Sequence, residues 1–319
     1  MWPLSSDAPP LWLGLYLLTF ALHAVFVSYV LAGTTYALVC KDAVAERVRD
    51  RLPFMLGCGI TAGVAPLLFI QLLYQKRFYT ANLLMGPRWG AVVPALIVGF
   101  YALYLAKAHV KEHVRKLALA LGAGCFLFVA WSWTELDQLM QDEPAWRAMY
   151  AAGRRIYGAA TIYPRLLLWL GAMATLFAIV ASWWAAGAER RRLAMIGLAG
   201  RAISVVAALL VWRAGGMVDA QAHGWAYLLI AALVAEAAGW IWMMRAPDGA
   251  ALSLVTGAGA AALVCATVVR EAPRLALLES PHATAVEASG TAVFALTLIV
   301  GAAAIAWIWR AISRAAKPD

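Results

Sequence analysis

LWLGLYLLTFALHAVFVSYVLAGTTYALVC, residues 11–40, runs without an Asp, Glu, Lys or Arg. A helix needs about 20 mostly apolar residues to cross a bilayer, because the hydrocarbon core is about 30 Å thick and the helix rises about 1.5 Å per residue. This stretch is longer than that, so it predicts a membrane span that tilts or projects into the interface. Eight further stretches meet the same length and polarity requirement: 53–74, 89–107, 114–134, 161–186, 193–213, 222–244, 250–269 and 289–309. The expected fold is all-α, a polytopic membrane bundle of about nine helices forming one embedded domain over 1–319.

Composition agrees with this. The 319 residues are 64% hydrophobic and 13% charged, with mean hydropathy +0.75, whereas soluble domains are about half apolar and a quarter charged. The net charge of +9 does not imply nucleic acid, since no basic, aromatic-interleaved stripe lies on a soluble segment. Lys and Arg here act first as orientation signals. With the N-terminus outside, 15 of the 26 fall on the inner side, among them Arg47, Arg49, Arg51, Lys107, Lys111, Arg190, Arg191, Arg192 and Arg245. The positive-inside rule therefore favours N-out and C-in. MWPLSSDAPP at the start has no basic residue, unlike a cleavable signal peptide.

Between the spans, residues 135–160 mix acids, arginines and aromatics at near-helical spacing and predict a helix lying on the outer surface. Residues 270–288 form a shorter cap on that side, and no internal sequence repeat is visible. Cys40, Cys58, Cys125 and Cys265 stand apart, with no C-x-x-C-H, so no c-type haem and no zinc knuckle is encoded. The phosphate loop, nucleophile elbow, dinucleotide fingerprint and H-E-x-x-H are also missing.

Among five histidines only His23 lies deep in a span. A buried imidazole needs partners, and two are open to it: a haem iron, or a hydrogen bond to a neighbouring helix. His109 and His113, four apart on one helical face, sit among Lys107, Lys111, Glu112 and Arg115 as a solvated basic turn. Arg201 and Glu236 each lie eight residues from the inner ends of consecutive antiparallel spans, hence at one depth, about 12 Å in. They form either an ion pair locking two helices or part of a proton path. Arg165, about one turn inside the fifth span, must have a partner. Gln71, Tyr74 and Arg77 cluster at the outer end of the second span, where they could contact a haem propionate, a quinone or a partner subunit, or simply form a helix end.

The order of these features resembles subunit I of the cytochrome bd-type quinol oxidases over nearly the whole chain. The resemblance rests on His23 followed by VSYVLAG, on ERVRDRLPF and on GITAGVAPLLFIQLLYQKRFYTANLLMG. WSWTELDQLMQDEP, SWWAAGAERRR and VVREAPRLALLE, the last where that family has Gly-Arg-Gln-Pro-Trp, continue it in sequence. The resemblance places His23 where the family ligates a high-spin haem b. Other family ligands are missing: glutamates are absent from AVVPALIVGFYALYLAK, Tyr163, Pro164 and Arg165 replace a histidine, HGWAYLLIAAL lacks a methionine, and Thr267 aligns with a glutamate. The quinol loop shrinks to RAGGMVDAQA.

The resemblance thus implies a haem-poor subunit of a respiratory electron-transfer complex in a bacterial-type cytoplasmic membrane. It would carry at most one haem b on His23 and meet quinone, membrane subunits and extracytoplasmic cytochromes, without necessarily performing catalysis itself. Two other expectations stand beside it. One is a purely structural anchor, from the lost ligands; the other is a transporter or proton channel, from Arg201 and Glu236, which the absence of paired broken helices disfavours.

Overall fold

The structure is a computed structural model describing residues 10–214 and 223–278, with isolated helical positions at 296, 299, 300, 303 and 307. The chain divides into two compact units, residues 1–279 and 280–319. Among the described residues there is no strand, and eight helices are long and apolar enough to cross a bilayer. The ninth expected span, 289–309, lies outside them but for those isolated positions.

The first unit begins with α1 (Pro10–Val39), α2 (Ala43–Leu73), α3 (Gln75–Met85), the single turn α4 (Pro87–Gly90), α5 (Val92–Lys107) and α6 (Glu112–Leu139). The surface helix α7 (Glu143–Ala151) follows, then α8 (Ile162–Ser182), α9 (Gly187–Arg213), α10 (His223–Arg245), α11 (Gly249–Glu271) and a 3₁₀ turn, Ala272–Leu277. Three of the helix starts, those of α2, α7 and α11, are set by aspartates. The carboxylates of Asp42, Asp142 and Asp248 accept the N–H of Ala45, Ala145 and Ala251, three residues on in each case, a cap worth about 1 kcal/mol. Stops are set by backbone chemistry. Gly86 has φ +52°, a conformation that favours glycine, and Pro273 lies where α11 tightens into the 3₁₀ turn.

α1, α2, α5 and α6 pack as an up-and-down four-helix unit, and α8, α9, α10 and α11 repeat the arrangement. α1 and α8 meet in the middle; α1 also touches α11, and α8 touches α6. A structural repeat therefore exists where the sequence displays none, because helix order and packing persist when side chains do not. Lipid supplies no hydrophobic drive between spans, so close van der Waals contact at small residues holds them. Gly197 lies under the Trp240 indole, Gly99 under Phe126, Gly259 under Ile179, and Gly171 faces the α9 backbone at Gly200 and Ser204.

Several boundaries differ from the sequence expectation. α6 continues to Leu139, so residues 135–139 belong to a span and the surface helix covers only 143–151. Apolarity ends at Trp133, but Glu135, Asp137 and Gln138 are buried because each finds a partner. α2 starts at Ala43, so the charged ERVRDR segment, residues 46–51, is helical and continuous with the span. His109 lies in the turn before α6 and His113 in its first turn, so the two do not share a helix face.

Candidate functional site

The end of the bundle where α1 begins and α6 and α11 finish, which is the outer one in the N-out orientation expected from sequence, gathers most of its buried charges. Asp137, near the end of α6, accepts from Arg270 at 2.7 Å and from Arg274. Glu271 accepts the Tyr74 hydroxyl and lies 3.5 Å from Arg270 and 3.7 Å from Arg274. Arg270 also donates to the Tyr16 hydroxyl at 3.2 Å and lies 4.5 Å from the centre of the Phe20 ring. Asp137, Glu271, Arg274, Tyr16 and Tyr74 are all buried. Arg165, on α8, interacts electrostatically with Asp137, Arg274 and Arg270.

A second node ties down the loop after α7. Glu135, fully buried, pairs with Arg88 and accepts from the Trp131 indole at 3.2 Å and the Tyr157 N–H at 2.6 Å. The Tyr157 hydroxyl donates to Asp142 at 2.6 Å, and Thr161 donates to Gln138 at 2.7 Å. Burial raises the Tyr157 hydroxyl pKa, and the bond to Asp142 adds to this. Burial, and then the neighbouring Glu271 carboxylate, hold the Tyr74 hydroxyl well above the ordinary tyrosine range.

Tyr74 occupies the break between α2 and α3, with φ −132° and ψ 41°. Its hydroxyl reaches Glu271 at the end of α11, beside a hollow of about 10 Å³ lined by Tyr74, Arg77, Asp137, Met140, Gln141 and Arg274. Arg77 donates to the Met140 carbonyl at 3.3 Å and lies 3.4 Å from Glu143. Of the residues singled out from sequence, Tyr74 and Arg77 line this hollow, while Gln71 accepts from the exposed Tyr79 at 3.1 Å and does not line it. Tyr16, Arg88, Tyr157 and Arg274 were not singled out as site residues. Their partners lie far off in sequence, 254 positions for Tyr16 with Arg270, and no local spacing encodes them.

His23 lies deeper, about 20 Å along α1 from Pro10, on the face that also carries Tyr16 and Phe20. Its Nδ1 is 2.9 Å from the Gly59 carbonyl oxygen. A carbonyl can only accept, so in the neutral ring Nδ1 carries the hydrogen and Nε2 keeps its lone pair. The ring packs on Gly63, where a Cβ would stand 2.7 Å from Cε1. The paired glycines of α2 thus admit and orient the imidazole.

Arg201 and Glu236 lie 2.8 Å apart between α9 and α10, and the Trp240 indole donates to Glu236 at 3.2 Å. Glu236 is fully buried, so removing one charge strands the other. Arg201→Leu and Glu236→Leu are each expected to cut the yield of monodisperse protein on size exclusion, and the double replacement to restore most of it. Equal yields for all three variants would mean that the pair holds nothing together.

The fold and these nodes define a class: a multi-pass, all-α membrane protein with a buried charge network at one end. Neither a family model nor a curated protein sequence matches the chain.

Proposed function

We propose that this chain is a membrane subunit of a respiratory electron-transfer complex, holding at most one haem b through His23 and meeting quinone and partner cytochromes at its outer end. The observation that carries this reading is the His23 Nδ1 contact with the Gly59 carbonyl. A hydrogen bond of this kind holds the ring plane and leaves the Nε2 lone pair available to a metal. His23 is the one histidine away from the helix ends among the described residues, so it is the residue that would hold the haem. A b-type haem bound there would supply one-electron transfer. Arg165 lies towards the outer surface from His23, on the side where a propionate would extend, and Tyr74 and Arg77 lie at the same end, where a quinone head group would meet the protein's surface.

The alternative, a structural anchor without cofactor, is supported by the way Asp137, Glu271, Arg270 and Arg274 already satisfy one another. A reduced-minus-oxidised spectrum with haem extraction separates the two, taken on the subunit expressed with its native partners as wild type and as His23→Ala. One b-type signal is expected to disappear in the variant while the assembly keeps its elution volume. An unchanged spectrum would leave the anchor reading.

A further inference from the structure

The face opposite the outer end is built around arginines that bond to neutral groups. Arg47 donates to the Trp184 carbonyl, and the Arg51 guanidinium stacks 4.2 Å from the centre of the Trp184 ring. Arg190 donates to the Ser182 carbonyl at 3.2 Å and the Pro247 carbonyl at 2.8 Å, and Arg191 to the Arg245 carbonyl at 3.4 Å. These bonds draw the start of α2 and the α8–α9 and α10–α11 turns together. None of Arg47, Arg51, Arg190, Arg191 and Arg245 forms an ion pair with a carboxylate among the described residues. Of the nearby acids, Asp42 pairs with Arg192, Asp50 with Arg49, and Asp248 caps α11, while Glu46 and Glu189 lie beside Arg47 and Arg190 in sequence without forming an ion pair among the described residues.

A carbonyl satisfies a guanidinium's hydrogens but leaves its charge in place, so Arg47, Arg51, Arg190 and Arg191 are held without a direct counter-ion, and with Arg245 they outnumber the neighbouring Glu46, Glu189 and Asp248. Trp183, 54% exposed with its indole bonded to Thr256, and the exposed Trp242 flank it with apolar surface at the level where a headgroup meets acyl chains. Guanidinium forks match phosphate oxygens, and basic pockets between membrane helices bind anionic headgroups. We infer that this cradle around Trp184 binds the phosphate of an anionic phospholipid, which bridges the three turns.

The test is native mass spectrometry of the full chain from nanodiscs holding phosphatidylglycerol and phosphatidylcholine of matched acyl chains. Retention of phosphatidylglycerol over phosphatidylcholine is expected for wild type. Each basic residue near a lipid surface contributes about 1 kcal/mol, so Arg51→Gln with Arg191→Gln is expected to weaken retention about thirtyfold. Arg51→Lys with Arg191→Lys, which keeps the charge, is expected to retain part of it and serves as the folding control. Lys107→Gln with Lys111→Gln removes equal charge from another basic turn and is expected to leave retention unchanged. Equal retention of both lipids by wild type, or equal loss in the lysine and arginine variants, would overturn the cradle. Displacement of the lipid by excess inorganic phosphate would overturn the lipid as occupant in favour of a soluble anion.

Discussion

Asp137→Ala is expected to destabilise the protein by about 3–5 kcal/mol in detergent, the range for removing one member of a buried ion pair. Asp137 answers two guanidiniums at once, and their side chains are only 14% and 5% exposed. Neither can turn to water, so the loss leaves two buried cations sharing the single, more distant carboxylate of Glu271. Glu112→Ala sets the scale for comparison. Its pair with Lys41 spans 3.7 Å with side chains 50% and 69% exposed, and such surface pairs contribute about 0–1 kcal/mol. Thermal unfolding followed by intrinsic fluorescence measures both. If Asp137→Ala shifts the transition no more than Glu112→Ala does, the outer network is not a stabilising element. Adding Arg274→Leu to Asp137→Ala should recover part of the loss, because it removes one of the two buried cations.

The second large effect is steric. A Cβ on Gly171 would stand 2.6 Å from the Gly200 carbonyl oxygen and 2.7 Å from the Ser204 nitrogen, both backbone atoms. A flexible side chain could move aside, but a packed helix cannot. Gly171→Ala is therefore expected to separate α8 from α9 and to cost at least the 1–3 kcal/mol or so typical of overpacking. Gly257→Ala should have the opposite sign. Nothing lies within 4 Å of a Cβ there, and replacing a helix-interior glycine by alanine gains about 0.5–1 kcal/mol. A melting experiment in which both variants move the same way would show that the α8–α9 crossing does not depend on backbone contact.

Much of the architecture is legible in the sequence because a bilayer imposes one length on every span. Residues 162–182 or 249–271 carry that signal without help from their neighbours. The signal ends where polarity enters a span. Residues 135–139 look like loop on composition, yet they complete α6, since Arg88, Arg270, Arg274 and Thr161 satisfy them from other elements. The depth of Arg201 and Glu236 follows from counting helical rise along two neighbouring spans. The Tyr74–Glu271 bond, across 197 positions, depends on how α2 and α11 cross, which no periodicity encodes. Tyr74 itself is visible only as an aromatic at a helix end, and its position at a break between two helices emerges only in three dimensions. The repeated four-helix arrangement is hidden for a related reason, since it resides in which helices touch rather than in which residues they carry.

The outer network also sets an order of events during biosynthesis. The two arginines that hold Asp137 lie 133 and 137 positions further along the chain. At ribosomal speeds of about 5–20 residues per second, the acid reaches the membrane on the order of 10 s before they do. Arg165, 28 positions on by residue number and electrostatically linked to Asp137, is synthesised well before both. Of the three cations around this carboxylate it is therefore the first to follow Asp137 into the membrane, with α11 and the two arginines arriving last.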